Sequence, residues 1–217
     1  MMIDTGSLQL EEALYFPTQI FSTTLESATA TSVNRNLTDL IYEEREKDSE
    51  GIQRSNFRSL GGWHSHNHLH KDPEYADIVS LINACGESVC QRNQYKSETR
   101  LKIGTMWAII NPPGSSNRAH IHPGCLWSGV YYIATPEDCG NIEFIDPRTQ
   151  NLMTPPRFGI KQKRPRHCWT KVNYTPTPGK LLIFPSWLYH SVAPNLSTEK
   201  GAAADRLIIS FNLNQVG

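Results

Sequence analysis

The sequence lacks long apolar runs and has no excess of either charge. Nowhere do 18 apolar residues follow one another, and the first residues, MMIDTGSLQLEEALYF, carry acidic groups and no apolar run of signal-peptide length. Lys plus Arg and Asp plus Glu both number 21, so the molecule as a whole has no electrostatic attraction to nucleic acid or to an anionic membrane. We therefore expect a cytoplasmic protein whose partner is a small molecule or a peptide.

The cysteines form no recognisable pattern. Five are present, an odd number, and no two of them have the C-x-x-C spacing. A disulfide framework requires pairs and a thiolate zinc site requires closely spaced cysteines, so the sequence predicts reduced thiols instead. A chain of 217 residues with no internal repeat is expected to form a single domain, and its oligomeric state is left open.

The first hundred residues contain two amphipathic patterns. A helix is predicted over Leu37–Lys47, where apolar residues fall on one face and charges on the other. A second is predicted over Pro73–Gln91, because Asp72 takes the N-cap position and Pro73 suits the first turn. Helices of this kind usually pack on the outside of a sheet, so residues 1–100 are expected to form a helical part outside the core.

Residues 101–217 have a different pattern. Short β-branched and aromatic runs alternate with turns rich in Pro, Gly and Asn, and the runs are KIGTMWAII, SGVYYIA, NIEFI, KLLIF and RLIISFNL. Asn151–Lys180, with five prolines, is expected to be mainly loop with one or two edge strands. We predict a mainly β fold with flanking α-helices, a double-stranded β-helix (jelly-roll) barrel from about Leu101 to Leu213.

Three histidines form a candidate metal site. His120 and His122 are two residues apart, and in an extended strand this spacing points both side chains to one face. His190 follows the apolar run KLLIFPSWLY, and a barrel brings the inward residues of distant strands together. Three imidazoles in a facial arrangement leave positions open for substrate or oxygen. Imidazole binds iron, zinc, copper and nickel alike, so the ligand type alone does not identify the metal.

The residues around these histidines resemble a known superfamily. A bare H-x-H pair also arises by chance, but here Gly114 precedes the pair, and Gly179 and Pro185 precede His190, at the spacings of the two cupin motifs. The blocks HIHPGCLWSGVYYI, GNIEFIDPR, GKLLIFPSWLYHSVAPN and RLIISFNL resemble more closely the small 2-oxoglutarate- and iron(II)-dependent oxygenases that include prolyl-4-hydroxylase-like enzymes. The resemblance covers roughly Met106 to Leu213.

This resemblance implies cofactors and ligands. Iron(II), 2-oxoglutarate and oxygen are expected, and the implied reaction is the hydroxylation of an unactivated C–H bond. His120 and His190 occupy the two histidine positions of the iron site, whereas His122 falls where most relatives have a carboxylate. His122 is therefore either a ligand or a group that supports one.

The same resemblance implies a cosubstrate subsite. Arg206 begins the strand after the last histidine, where the superfamily places the cation that pairs with the far carboxylate of 2-oxoglutarate. Ser210 lies four residues on, hence on the same strand face, and can donate a further hydrogen bond. Tyr132 matches a tyrosine that contacts that carboxylate in the prolyl-hydroxylase-like relatives. The alternative for Arg206 is a surface salt bridge.

Four further residues are candidates for substrate contact. Trp127 and Trp187 flank the ligand motifs and are expected to form a substrate wall, the alternative being simple core or rim positions. Asp146 and Arg148, in the turn IDPR, are expected at the mouth of the site, unless they form an internal ion pair. The alternating histidines of HSHNHLH are interpreted as a solvated or pocket-lining loop, because no carboxylate or cysteine nearby completes a second metal site.

Two other function classes stay open. A cupin-type dioxygenase with three histidines would keep the metal site without 2-oxoglutarate, and a non-catalytic jelly-roll binding protein would keep the fold alone. Within the oxygenase class, a carboxylate from Glu143 or Asp146 is the alternative to His122 as the third ligand.

Overall fold

In the residues that the structure describes, the protein folds into two antiparallel sheets with three α-helices. The computed structural model describes residues 9–153, 156–159 and 163–217, so parts of the first residues and of the predicted loop Asn151–Lys180 lie outside the described ranges. The helices are α1 (Ser27–Lys47), α2 (Glu50–Arg54) and α3 (Ala76–Arg92). The strands are β1 (Phe21–Thr24), β2 (Trp63–His64), β3 (Arg100–Asn111), β4 (Asn117–His120), β5 (Trp127–Ala134), β6 (Ile142–Ile145), β7 (Lys171–Tyr174), β8 (Lys180–Pro185), β9 (His190–Val192) and β10 (Arg206–Val216).

The two sheets face each other across a small apolar core. The larger sheet has the strand order β1-β8-β5-β10-β3-β2 and the smaller one β4-β9-β6-β7. Among the described residues the hydrogen bonds do not join the sheets into one closed ring. The predicted jelly-roll fold is confirmed, and all five predicted runs lie in strands, but the architecture is that of two facing sheets.

The long strands of the larger sheet have two different faces. Leu207, Ile209 and Phe211 of β10 point to the side covered by the helices, whereas Arg206 and Ile208 point between the sheets. The same alternation separates Leu181 from Leu182 on β8 and Tyr131 from Tyr132 on β5. Each strand thus contributes to the helix-side core with one set of residues and to the space between the sheets with the other.

The predicted helices pack outside the sheets. Ile41 of α1 and Ile78 and Ile82 of α3 are fully buried in the helix-side core, as their amphipathic patterns predict. α1 begins ten residues before the predicted start, because the Glu26 carboxylate accepts hydrogen bonds from the backbone N–H groups of the first turn. Asp72 caps the short 3-10 turn that precedes α3, where its carboxylate accepts from the Glu74 N–H at 2.9 Å.

Three further predictions from the sequence concern the cysteines, membrane-spanning helices and the loop Asn151–Lys180. All five cysteines are free, as predicted. None of the helices in the described ranges has the length and apolarity that a membrane span requires. The predicted loop Asn151–Lys180 contributes the edge strand β7 to the smaller sheet.

Candidate active site

The three histidines converge between the sheets. β4 pairs with β9 so that His120 lies directly opposite His190, and His122 follows two residues after the end of β4. The ring centroids are 4.3 Å apart for His120 and His190, 5.0 Å for His122 and His190, and 5.1 Å for His120 and His122. One ring nitrogen from each lies within 4.8 Å of the other two. This spacing suits three ligands of a single ion.

Hydrogen bonds fix which nitrogen of each ring faces the centre. Every Nδ1 lies beside a carbonyl oxygen, and the pairs are His120 with the Arg118 carbonyl at 2.7 Å, His122 with the Asn212 side-chain oxygen at 2.8 Å, and His190 with the Leu188 carbonyl at 2.9 Å. A carbonyl oxygen only accepts hydrogen bonds, so each Nδ1 carries the proton. In this tautomer the lone pair lies on Nε2, so Nε2 is the nitrogen that can bind a metal.

Burial lowers the pKa of two of these imidazoles, His122 and His190. His190 is 3% exposed, and loss of hydration lowers its pKa to about 4, with a smaller contribution from the neighbouring imidazoles. Burial also lowers the pKa of His122. Neutral imidazole is the state that a metal ligand requires, so the site is prepared for an ion at neutral pH.

The same burial predicts a pH dependence of stability. Because the pKa of His190 is about 4 in the folded chain and near its ordinary value of about 6.5 in the unfolded chain, the unfolded state binds more protons between these values. The free energy of unfolding of the metal-free protein is therefore expected to fall by up to about 3 kcal/mol as the pH decreases from about 6.5 to 4. Urea unfolding of chelator-treated protein at several pH values measures this decrease in the free energy of unfolding. A His190→Asn variant should lose less stability over this range, and an equal loss in both proteins would contradict the assignment.

The described residues place no carboxylate in the histidine cluster. Glu143 accepts hydrogen bonds from the Lys171 ammonium at 3.1 Å and the Ser191 hydroxyl at 3.3 Å. Asp146 forms a two-point pair with Arg148, at 3.0 and 3.1 Å. Neither acid belongs to the group of side chains that can share one ion. The arrangement therefore favours His122 over a carboxylate as the third ligand.

The histidines open on a cavity that also contains the predicted cosubstrate residues. The cavity has a volume of about 420 Å³, and Arg206, Tyr132 and Ser210 contribute to its lining. Arg206 and Ser210 are brought there by the alternation of β10, and Tyr132 by that of β5. All three side chains are buried.

Arg206 has donors without partners. Its side chain is 1% exposed, and Nη1 donates to the backbone carbonyl of Cys139 and, at 3.4 Å, to that of Ala193. Nε and Nη2 are buried and make no hydrogen bond. The described residues provide no carboxylate partner for this guanidinium, so the surface salt bridge is not formed. A buried cation is costly unless it is paired, and a bound dicarboxylate would supply the missing partner.

Trp127 lies outside the cavity, which corrects its expected place in the substrate wall. It is 5% exposed and belongs to the helix-side core, where its ring packs 5.5 Å from that of Phe21. Its Nε1–H donates to the Tyr95 hydroxyl at 3.2 Å. Trp127 and Tyr132 are five positions apart on β5, so the two side chains point to opposite faces of the sheet.

The other three expected substrate contacts also lie outside the cavity lining. Trp187 is 52% exposed on the turn between β8 and β9. Asp146 and Arg148 form the internal ion pair considered above and line a different depression. The cavity observed next to the three histidines thus has none of the four predicted side chains in its wall.

Two aromatic rings outside the predicted substrate-binding set line the cavity, and one of them, His64, comes from the segment HSHNHLH that was expected to be a solvated or pocket-lining loop. Trp107 of β3 lines the cavity, with its ring 6.1 Å from that of His122. His64, from the segment HSHNHLH, stacks on Trp107 at 5.9 Å with an interplanar angle of 11° and lines the cavity as well. No second metal cluster is found in the described part of this segment.

The comparisons with known proteins agree with this geometry. Residues 105–212 match a family described as "Putative 2OG-Fe(II) oxygenase". No curated protein is a significant match. A prolyl-4-hydroxylase from Pseudomonas putida is similar in structure, with a TM-score of 0.60 and 14% identity over 92% of this chain and 94% of that one.

Two other solved structures share the fold. The epimerase SnoN of nogalamycin biosynthesis, in complex with Fe³⁺, α-ketoglutarate and nogalamycin RO, has a TM-score of 0.58 and 14% identity over 91% of this chain and 79% of that one. The viral collagen prolyl hydroxylase of Paramecium bursaria Chlorella virus-1, as its 2-oxoglutarate complex, has a TM-score of 0.53 and 12% identity over 91% of this chain and 96% of that one.

These matches confirm the resemblance on which the cofactors depend. Iron(II), 2-oxoglutarate and oxygen are what the family implies, and the three histidines provide ligands that iron accepts. The chain therefore belongs, through residues 105–212, to the 2-oxoglutarate- and iron(II)-dependent oxygenases.

Proposed function

We propose that the chain is an oxygenase that hydroxylates an unactivated C–H bond of a small molecule or a peptide. His120, His122 and His190 are the proposed iron ligands, and Arg206 binds the far carboxylate of 2-oxoglutarate with help from Tyr132 and Ser210. We also propose that residues 1–217 act as one oxygenase domain, because α1 and α3 cover the outer face of the larger sheet, which carries Arg206, Tyr132 and Ser210.

One observation carries the proposal. A single cavity contains three imidazole nitrogens that can share an ion and a buried guanidinium with two unpartnered N–H groups. The first feature suits a metal with open positions, and the second suits an anionic group at the far end of the same ligand. A dicarboxylate that also chelates a metal is a ligand that satisfies both at once.

The residues of the cavity bind and orient. Iron held by the three histidines would activate oxygen, which is the oxidant, while 2-oxoglutarate would supply two electrons as it is converted to succinate and carbon dioxide. Arg206 fixes the cosubstrate through a planar contact, since Nε and Nη2 lie on one edge of the guanidinium. Val130, Ile142 and Ile208 contribute apolar surface to the same lining, which limits the access of water to the reacting atoms.

The three-histidine dioxygenase remains a second candidate for a specific reason. The cluster contains three imidazoles and, among the described residues, no carboxylate. Such a centre leaves the ion with its full positive charge, as in cupin-type dioxygenases that do not use 2-oxoglutarate. Arg206 is the residue that separates the two candidates, because that reaction assigns it no role.

Turnover of 2-oxoglutarate tests the proposed function. Protein loaded with iron(II) under anaerobic conditions is mixed with oxygen, with and without 2-oxoglutarate, and succinate and oxygen are measured. We expect succinate only when 2-oxoglutarate is present, at a slow rate without substrate, and a gain of one oxygen atom in the mass of a true substrate. A His190→Ala variant is the inactive control. Oxygen consumption without 2-oxoglutarate would instead favour the three-histidine dioxygenase, and no oxygen consumption by iron-loaded protein would favour a binding protein.

A further inference from the structure

We propose that Asn212 is a positioning residue that makes His122 a metal ligand, so that an imidazole can stand where most relatives have a carboxylate. The inference rests on the metal centre of the proposed function, but not on the identity of the cosubstrate or the reaction. It concerns the hydrogen bond between the Asn212 side-chain oxygen and Nδ1 of His122, at 2.8 Å.

Three neighbouring strands hold the Asn212 amide in place. On β10, Asn212 lies opposite Thr105 of β3 on one side and Ser128 of β5 on the other. The Ser128 hydroxyl donates to Oδ1 of Asn212 at 2.8 Å, and Nδ2 of Asn212 donates to the Thr105 hydroxyl at 3.0 Å. Both ends of the amide therefore have partners that belong to different strands, and Oδ1 is directed toward His122.

The register of β10 changes at this point. The pairing with β3 shifts between Asn212 and Leu213, because β3 has one extra residue there, Gly104, which lies between the partners of these two residues. A β-bulge re-aims the side chains next to it and is common beside functional sites. Here the bulge lies in β3, beside the position on β10 whose side chain reaches the third imidazole.

His122 differs from the other two histidines in how its tautomer is fixed. Nδ1 of His120 and Nδ1 of His190 donate to backbone carbonyls, which no side-chain substitution can remove. Nδ1 of His122 donates to a side chain. If that oxygen is lost, the proton of His122 can move to Nε2, and the nitrogen that faces the ion then has no lone pair. The third ligand thus depends on one asparagine.

The chemistry of the amide also sets the charge of the centre. A carboxylate that accepts from a ligating imidazole increases the basicity of that ligand, whereas a neutral amide orients the ring and adds no negative charge. With Asn212 in this role, the ligand set and its immediate supports stay uncharged. Substitution by aspartate would keep the acceptor and add a charge, and substitution by leucine would remove the acceptor with little change in volume.

Metal binding by Asn212→Leu and Asn212→Asp tests the inference. Partners of ligating histidines typically contribute about 10- to 100-fold to metal affinity, so Asn212→Leu is expected to weaken Co²⁺ binding by that factor and to alter the visible spectrum of the Co²⁺ protein. Asn212→Asp should bind Co²⁺ at least as tightly as the wild type. Asn214→Leu and Asn214→Asp, at an exposed position of the same strand, are matched controls and should leave binding unchanged.

A second readout needs no metal. Nitrogen-15 NMR of the histidine rings in the metal-free protein should show a proton on Nδ1 of His122 in the wild type and in Asn212→Asp, and a mixture of tautomers in Asn212→Leu. A merely structural asparagine would change the thermal midpoint without changing the tautomer. Folded Asn212→Leu protein with wild-type Co²⁺ affinity, or a wild-type His122 protonated on Nε2, would overturn the inference.

The outcomes separate this inference from the proposed function. If the wild type binds Co²⁺ in an Asn212-dependent manner but does not turn over 2-oxoglutarate, the proposed function fails and the role of Asn212 stands. If 2-oxoglutarate is turned over and the Co²⁺ affinity is the same in the wild type and the Asn212 variants, only the inference fails.

Discussion

Replacing Arg206 by alanine is expected to weaken the binding of 2-oxoglutarate to the iron-loaded, oxygen-free protein by about two to three orders of magnitude. Removing one partner of a buried charged pair costs about 3 to 5 kcal/mol, because the remaining charge is left without compensation. Arg206 is almost completely buried and has two free donors on the cavity, so its contact with a carboxylate would be of this kind. Calorimetry measures the loss.

The controls for Arg206 separate charge from geometry and from folding. Arg206→Lys keeps the charge but loses the planar two-point contact, so its affinity should fall between those of the wild type and Arg206→Ala. Arg148→Ala removes an arginine outside the cavity and should bind 2-oxoglutarate normally. Iron affinity should stay constant in all variants. Equal affinity for 2-oxoglutarate in the wild type and in folded Arg206→Ala would exclude the assigned role, and no binding to the loaded wild type would favour the three-histidine dioxygenase.

Replacing His190 by alanine is expected to have a comparable effect on the metal. Structural zinc sites with four ligands bind with about 10 to 16 kcal/mol, so one ligand contributes roughly 3 to 4 kcal/mol, or about two to three orders of magnitude in affinity. His190 is the most buried of the three histidines, so water can replace it only poorly. Equilibrium dialysis of Fe²⁺ or Co²⁺ under anaerobic conditions measures the change.

Two further variants complete this experiment. His122→Asp restores the carboxylate of most relatives and should retain metal binding, whereas His167→Ala removes an exposed histidine outside the cluster and should have no effect. Unchanged metal affinity in folded His190→Ala would rule out the proposed ligand set. Wild-type affinity in His122→Ala would instead show that His122 is not a ligand, and would leave His120 and His190 unaffected.

The parts of the fold that follow from local patterns could be predicted from the sequence. Long apolar runs such as that of β10 mark central strands, and the amphipathic pattern of α3 gives both its position and its buried face. The short elements could not be predicted, because two to four residues carry too little periodicity. β2 and β9 are examples, and they form because longer strands offer them partners.

The site residues could be predicted where their positions follow from strand alternation or from the sequence blocks that resemble the oxygenase family. The spacing of His120 and His122, and of Arg206 and Ser210, places each pair on one face, as the structure has them. The same alternation extends from Arg206 to Asn212, so the place of Asn212 on the cavity face was predictable as well.

The residues that line the cavity beside the histidines could not be predicted in this way, because their identity depends on which strands become neighbours in the fold. Trp187 is adjacent to the ligand motif in sequence, yet its position in a turn leaves it in solvent. His64 reaches the cavity only because β2 pairs with the far edge of β3, a long-range contact that no local pattern contains. Nearness in sequence to a ligand therefore did not predict nearness to the substrate space.

The two faces of the larger sheet also bear on how such a protein can evolve. Most of the buried apolar side chains lie on the helix side, and a much smaller group lies between the sheets. Because burial of apolar surface is the main source of stability, mutations among Trp107, Ile109 and other cavity-facing residues put less of the folding free energy at risk than mutations of their neighbours in the strand. Every second residue of β3 is thus comparatively free to change, whereas on β10 the cavity-facing Arg206, Ser210 and Asn212 are constrained by their proposed roles. New substrates could be acquired by substitutions along the cavity face of β3, while the opposite face preserves the fold.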